Sequence, residues 1–148
     1  MLKLEDPDTV VLGFFLEESM ATVFTKILSG EFPSYKIYED AVVFSFLALD
    51  QVNLGHALVI PKQEVDHWID VPEKDYLHVQ QVALKIGRAI QKATDCRKVF
   101  QTVIGLEVPH FHLHLIPGWQ MSDLNFARAK RHTDAEMKEI QKKIMAAL

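Results

Sequence analysis

A single cysteine, Cys96, is present among the 148 residues of the chain. One cysteine cannot form an intrachain disulfide, and it cannot supply the paired Cys-x-x-Cys motifs of zinc sites and redox proteins. This scarcity is typical of a reducing compartment, so we expect a cytoplasmic protein. A surplus of positive charge is also lacking, because the formal net charge is -4 and the lysines and arginines are scattered along the chain. Nucleic acid is therefore not an expected partner.

A long apolar run is lacking as well. The N-terminal segment holds one short run, residues 10–16, which follows three acidic residues. A membrane helix needs roughly 20 apolar residues, and a secretory signal needs a positive start and a cleavage site, so we expect neither feature and no membrane partner. Met20 begins a stretch that reads like a protein start. We assign residues 1–19 to an N-terminal extension of unknown role and residues 20–148 to one domain.

Hydrophobic periodicity predicts three helices and four strands. The predicted helices cover residues 21–28 and 72–93, and a third begins after Thr133, whose spacing to Glu136 is that of a capping box. The predicted strands cover residues 42–49, 57–60, 98–104 and 110–116. The order helix, strands, helix, strands, helix predicts an α+β domain built on an antiparallel sheet.

Three of the seven histidines lie in the segment PHFHLHLIP, residues 109–117. On a strand, His110, His112 and His114 would share one face, and the apolar residues between them would share the other. Consecutive histidines would then stand about 6.6 to 6.8 Å apart, a spacing that fits one small group with several oxygens. A neutral ring could act as a nucleophile, and protonated neighbours could stabilise phosphoryl charge.

A zinc site is the alternative interpretation of the same pattern. Histidines at every second position of a strand can bind zinc with a third ligand from elsewhere, and His56 is available for this role. A zinc ion held by His110, His112 and His56 would activate water for hydrolysis. The spacing alone leaves phosphoryl transfer and zinc hydrolysis both open.

The segment resembles the signature of the histidine triad (HIT) superfamily, in which histidines alternate with apolar residues. Three blocks carry the resemblance: FTKILSGEFPSYKIYED (24–40), GHALVIPK (55–62) and GLEVPHFHLHLIP (105–117). The likeness runs from about residue 20 to residue 126. It implies an α+β fold with an antiparallel sheet of about five strands and flanking helices. It also implies a nucleotide-binding protein that is usually a homodimer.

The resemblance further implies a reaction. His112 would attack the α-phosphorus of a nucleoside phosphoramidate, a dinucleoside polyphosphate or a related derivative, and water would then release the nucleotide. His110 and His114 would orient His112, bind phosphate oxygens and assist the leaving group, while His56 would complete the cluster. The implied partner is a purine nucleotide or nucleotide conjugate, and no cofactor is required. The implied nucleotide-binding residues are Val23, Phe24, Ile27, Phe46, Leu49, Asp50, Gly105 and Glu107.

Several positions depart from the family pattern. Ala48 stands where the family commonly has an aspartate that binds ribose, and Asp50 is the nearby substitute. Val99 and Leu106 align with positions that usually carry polar phosphate contacts. These losses support a second hypothesis, a nucleotide-binding or regulatory protein with little turnover.

Two further departures from the family pattern replace one type of functional group with another. Glu107 stands near the triad where the family often has a serine or threonine. It is either a solvated acid or a group that tunes the pKa of a histidine. Thr22 and Thr25 stand where many bacterial relatives have a Cys-x-x-Cys pair for structural zinc. A structural zinc is therefore not expected.

Overall fold

The structure is a computed structural model that describes residues 22–148. In this part of the chain the helices are α1 (Val23–Leu28), α2 (Glu73–Thr94) and α3 (Asp134–Ala146). The strands are β1 (Lys36–Glu39), β2 (Val43–Leu47), β3 (Ala57–Pro61), β4 (Lys98–Thr102) and β5 (Leu113–Gly118). The extension assigned to residues 1–19 lies outside the described residues, and its boundary stays a prediction.

The five strands form one sheet in the order β1-β2-β3-β5-β4, and every neighbouring pair is antiparallel. The predicted α+β fold with a five-stranded antiparallel sheet is confirmed. Strands β2 and β3, both predicted, form an antiparallel hairpin in which Val43 pairs with Pro61 and Leu47 pairs with Ala57. Strands β1 and β4 lie at the two edges of the sheet.

Local sequence signals fix the ends of the helices. The side chain of Thr22 caps α1 by accepting from the amide of Thr25, and Gly30 follows the helix with a positive φ of 83°. The predicted capping box of α3 is present, because Thr133 and Glu136 bond to each other's backbone amides. The helices begin within two residues of the predicted starts.

Several strand boundaries differ from the prediction by one or more residues, and one strand was not predicted. Strand β1 has only four residues, KIYE, which is too short for an alternating pattern to stand out. Strand β2 ends at Leu47, two residues earlier than predicted, and β4 ends at Thr102 rather than at residue 104.

The predicted strand over residues 110–116 is wrong in its first half, because β5 begins at Leu113. The amide of Phe111 donates to the carbonyl of Val65 at 2.7 Å, outside the sheet ladder. The carbonyl of His110 accepts instead from the ring of His112. Only the third histidine of the triad therefore lies in a strand, while the first two lie in the loop that leads into it.

The main core lies between the sheet and the helices α2 and α3. The buried face of α2 consists of Val79, Val82, Ala83, Ile86, Ala89 and Ile90. It packs in one cluster with Phe111, Leu113 and Leu115, the apolar residues that alternate with the histidines. The predicted alternation of faces therefore holds, although the segment is only partly a strand.

The opposite face of the sheet carries α1 and a second, aromatic cluster. The buried members of this cluster are Phe24, Phe44, Phe46, Ala48, Leu58 and Ile60. Phe24 of α1 packs against the rings of His110 and His112 on this face. In the same part of the chain, no helix is both long and apolar enough to cross a bilayer.

Candidate active site

A cavity of about 810 Å³ opens on the sheet face that carries the aromatic cluster. Its volume falls within the roughly 300–1,000 Å³ that small-molecule sites occupy. Seven of the eight residues that the resemblance implied for nucleotide binding line it: Val23, Phe24, Ile27, Phe46, Leu49, Asp50 and Glu107. The eighth, Gly105, is not on the lining; it turns the preceding loop with a φ of 69°.

The apolar wall of the cavity is held in place by ring contacts around Phe24. The ring of Phe24 meets Phe46 edge-on at 5.6 Å and His112 edge-on at 4.9 Å between centroids. Because Phe24 is buried, it also excludes water from one side of the His112 ring. The wall and the histidine cluster are therefore one packed unit.

Several lining residues were missed by sequence reasoning. Tyr35 lies just before β1, Phe126 lies in a short 3-10 turn after β5, and Lys138 and Gln141 come from α3. The Phe126 ring lies 5.0 Å from the ring of His114. No local pattern marks these residues, because α3 reads as an ordinary amphipathic helix and only the fold returns it to the cavity.

Backbone carbonyls hold the rings of the first two triad histidines, His110 and His112. The ring Nδ1 of His112 lies 2.6 Å from the carbonyl oxygen of His110, and the ring Nε2 of His110 lies 2.7 Å from the carbonyl of Pro61. A carbonyl only accepts, so each of these ring nitrogens carries a hydrogen. In a neutral ring, His112 then has its lone pair on Nε2, and His110 has its lone pair on Nδ1, facing the hydroxyl of Thr22 at 3.4 Å.

The second half of the cluster is a chain of two rings that begins at a backbone amide. The amide of Val52 donates to Nδ1 of His56 at 3.2 Å, so the hydrogen of a neutral His56 lies on Nε2. That nitrogen lies 2.9 Å from Nδ1 of His114 and donates to it. The hydrogen of His114 is consequently on its own Nε2, where it is available to a bound molecule.

Burial keeps all four rings neutral at neutral pH. Desolvation lowers the pKa of His56 to about 4 and that of His114 to about 3, and the nearby His112 adds to both effects. Burial also lowers the pKa of His110 and of His112, opposed in each case by the carbonyl that its ring bonds. The free site therefore offers neutral donors and a neutral nucleophile rather than the protonated neighbours considered from the sequence.

The geometry can be compared with known proteins at this point. Residues 29–121 match the family model of the HIT domain, which is well over half of the chain. This chain belongs to the HIT family. All four histidines of the cluster lie inside the matched stretch.

Relatives of this HIT protein cover most of its length. It is 36% identical over 126 residues to Protein hit of Bacillus subtilis, with 76% of this chain and 81% of that protein covered. It is 30% identical over 119 residues to an adenosine 5′-monophosphoramidase of Saccharomyces cerevisiae, with 72% and 74% covered. The structure of a HIT-like protein from Bartonella henselae matches with a TM-score of 0.77 at 29% identity, covering 85% of this chain and 95% of that one.

The departures from the HIT pattern occupy different places in the structure. Ala48 is buried on the cavity lining, and Asp50 lines the rim, where it accepts from Arg131 at 2.7 Å. Val99 packs against the main core, and Leu106 is 90% exposed and does not line the cavity. Neither Val99 nor Leu106 therefore supplies a wall of the site.

The two threonines at the HIT zinc positions are used for hydrogen bonds. Thr25 donates its hydroxyl to Glu64 at 2.5 Å, and Thr22 places its hydroxyl beside the ring of His110. Threonine hydroxyls are not among the thiolate, imidazole and carboxylate ligands that zinc takes in proteins. These side chains do not fit a structural zinc, and the expectation that none is needed stays a prediction.

The alternative of a catalytic zinc on His110, His112 and His56 is not favoured by the arrangement of the rings. Both nitrogens of His56 and of His110 face protein partners, so they do not converge on one point. Among the described residues, no group of three or more histidine, cysteine or acidic side chains is placed to hold a metal ion. Of the three rings, only that of His112 presents a nitrogen that has no partner within residues 22–148.

Proposed function

We propose that this HIT protein is a hydrolase that cleaves nucleoside phosphoramidates or dinucleoside polyphosphates at the α-phosphorus, through a nucleotidyl-histidine intermediate. One observation carries the proposal. The ring Nδ1 of His112 bonds the carbonyl of His110 at 2.6 Å, which leaves Nε2 of a neutral ring with its lone pair. The similarity to a yeast adenosine 5′-monophosphoramidase supports the same class of reaction.

The first chemical step is the attack of His112 on phosphorus. The lone pair of its Nε2 forms the new bond, and the bond from phosphorus to the leaving nitrogen or oxygen breaks with its electron pair on the leaving atom. A leaving amine takes up one proton from solvent. The carbonyl of His110 accepts from Nδ1 throughout the step, which stabilises the imidazolium that the attack creates.

The second step returns the histidine to its starting state. Water attacks the phosphorus, the bond to Nε2 of His112 breaks, and the ring recovers its lone pair. One proton returns to solvent and the nucleoside monophosphate is released. The lowered pKa of His112 supports this cycle, because a ring that is neutral at neutral pH needs no separate base before it attacks.

His114 and His56 act as hydrogen-bond donors in this proposal. Val52 and His56 together hold the hydrogen of His114 on Nε2, on the lining of the cavity. A neutral donor at this place stabilises a phosphoryl oxygen as negative charge develops on it. Loss of His56 would free the tautomer of His114 and weaken that contact.

His110 acts through its backbone rather than through its ring. The resemblance implied that its ring binds phosphate oxygens, but its two ring nitrogens face Pro61 and Thr22. The geometry instead supports a positioning role, in which the locked ring fixes the loop and the carbonyl aims His112. The nucleotide base, which we propose to be a purine, would occupy the apolar wall formed by Val23, Phe24, Ile27, Phe46 and Leu49.

The test is to trap the intermediate. The protein is mixed with α-labelled adenosine 5′-phosphoramidate, quenched in acid-free denaturant and digested, and the peptide that contains His112 is examined by mass spectrometry. We expect a transient AMP adduct on that peptide and release of AMP. His112→Ala should remove both signals, whereas His67→Ala, an exposed histidine outside the cavity, should keep them.

The binding-protein hypothesis is the second candidate, and the places of Val99 and Leu106 favour it, because neither offers a polar group to a phosphate. AMP binding without an adduct or turnover across several nucleoside conjugates would establish this hypothesis and reject the hydrolase.

We also propose a cytoplasmic location, which fractionation of cells would test.

We propose that the protein forms a homodimer through the edge of β4. This strand pairs only with β5 within the described residues, so its outer backbone groups are available to another strand. Phe100 of β4 lines an apolar groove together with Trp119 and Met121, and Met121 is 90% exposed. An exposed apolar surface beside an open strand edge is typical of an interface.

Light scattering after size-exclusion chromatography tests the dimer. We expect twice the chain mass for the natural protein and a shift to the monomer for Met121→Asp, with an unchanged circular dichroism spectrum. Leu77→Asp, an exposed position on α2, should remain dimeric. A natural protein that runs as a monomer at micromolar concentration would refute the interface.

A further inference from the structure

The carboxylates that line the cavity differ in whether they have a cationic partner within the chain. Among the described lining residues, the carboxylates are Asp50, Glu107 and Asp134, and the cation is Lys138. Asp50 accepts from Arg131 at 2.7 Å, and Asp134 pairs with Lys138 at 3.0 Å. Two of the three carboxylates therefore have cationic partners within the chain.

Glu107 is the exception. Its side chain is exposed, and it makes no hydrogen bond or ion pair with the described part of the chain. It precedes the triad by three positions and lines the same cavity as His56 and His114. An unpaired carboxylate at the reacting end of a cavity acts on whatever charge the bound molecule brings there.

The histidines beside Glu107 do not offset this charge. Burial keeps His56, His112 and His114 neutral at neutral pH. The charge of Glu107 also acts on the ring of His112, opposing the effect of burial on its pKa, so the carboxylate lies within electrostatic range of the nucleophile. A leaving group that departs from the phosphorus at this end of the cavity therefore meets the unpaired carboxylate of Glu107 and neutral histidine donors.

We propose that Glu107 is a specificity-determining residue that selects substrates whose leaving group is a cationic amine and disfavours those whose leaving group is a polyphosphate. This inference rests on the proposed hydrolase function and narrows its substrate class. An ammonium group two or three carbons beyond the scissile nitrogen would be attracted to the carboxylate. A polyphosphate would bring several negative charges to the same place, where the one cation on the described lining, Lys138, is already paired with Asp134.

The test compares three substrates that share adenosine and differ in the leaving group. They are adenosine 5′-phosphoramidates of 1,3-diaminopropane, whose distal amine is charged, and of butylamine, which is its neutral counterpart, together with diadenosine tetraphosphate. The natural protein should show the highest kcat/KM for the charged amine and the lowest for the polyphosphate. The ratio of charged to neutral amine should be about twofold to fivefold, the range of an exposed charge pair, and it should shrink as salt is added.

Variants at position 107 separate charge from structure. Glu107→Gln should bring the ratio of charged to neutral amine close to one, and Glu107→Lys should invert it and raise the relative rate for the polyphosphate. Glu107→Asp should retain the preference for the charged amine. Glu73→Gln, which removes an exposed carboxylate on α2 outside the cavity, should leave all ratios unchanged.

The outcomes distinguish this inference from the proposed function. If AMP adducts form with all three substrates but Glu107→Gln has the same ratios as the natural protein, the selectivity role is wrong and the hydrolase stands. If no substrate is cleaved, the hydrolase fails, and dissociation constants for the same compounds decide the role of Glu107. In that case a two- to fivefold tighter binding of the charged amine, lost in Glu107→Gln, supports the inference, and equal constants overturn it.

Discussion

Lowering the pH from 7 to 5 should destabilise the protein through its buried histidines. In the unfolded chain a histidine has a pKa near 6.5 and takes up a proton over this interval. In the folded chain His56 does not, because burial lowers its pKa to about 4. The unfolded state then binds more protons than the folded state, so the free energy of unfolding falls as the pH falls below the unfolded pKa.

The size of the effect follows from the same numbers. Each neutral buried histidine contributes a loss of about 1.4 kcal/mol for each pH unit below 6.5, which is about 2 kcal/mol for His56 at pH 5. His114, with a pKa of about 3, contributes a loss of similar size. For a domain of this length, 2 kcal/mol corresponds to a Tm change of about 4–8 °C. His78 acts in the opposite direction, because its bond to Asp40 raises its pKa, and its exposed position keeps that term small.

The assay is differential scanning calorimetry between pH 5 and pH 7 on the natural protein and on His56→Gln. The variant lacks one titrating ring, so its Tm should depend less on pH by about 4–8 °C over the interval, whatever its Tm at pH 7. His67→Gln, an exposed histidine, serves as the matched control and should follow the natural protein. Parallel curves for the natural protein and His56→Gln would refute the conclusion that His56 is neutral in the folded state.

Two further experiments test the packing and the threonine pair. Gly118→Ala should lower stability by about 1–3 kcal/mol in urea unfolding, because a Cβ there would lie 2.3 Å from the Phe100 ring. A double variant with Phe100→Ala should lose less than the two single losses combined, and simple additivity would contradict the clash. Thr22→Cys with Thr25→Cys should create a site for one Zn²⁺ beside Glu64 and His110, visible as thiolate charge-transfer bands with Co²⁺. A spectrum without such bands would show that the loop does not converge on a metal.

Much of the fold could be predicted because its signals are local. The capping box at Thr133 and the periodicity of α2 each reside within a few turns of chain, and the structure contains both. The strand over residues 110–116 could be predicted only in part, because alternation shows which side chains share a face and does not show which backbone groups pair. The amide of Phe111 finds its partner at Val65, far along the sequence, and that partner ends the ladder.

The candidate site likewise has some features that the sequence indicates and others that only the folded chain determines. The role of His112 and the residues of the apolar wall were implied by the resemblance to the HIT signature, whereas the tautomers depend on Pro61 and Val52, whose positions only the folded chain gives. Neutral rings could not be predicted either, since a histidine's charge follows its burial and burial depends on tertiary packing. Lys138 lines the cavity because of how α3 packs, and no sequence motif indicates this position.

The hydrogen-bond chains that order the histidines both end on main-chain atoms, the amide of Val52 and the carbonyl of Pro61. Main-chain atoms survive every amino-acid replacement at those two positions except a proline at 52, which would remove the donor. The wall of the cavity and the loop residue Glu107 act through their side chains instead, so a substitution there changes the group that faces the cavity. The main-chain hydrogen bonds that order the rings do not involve the side chain of Glu107, so the preferred substrate can change through that position while the reactive rings keep their orientation.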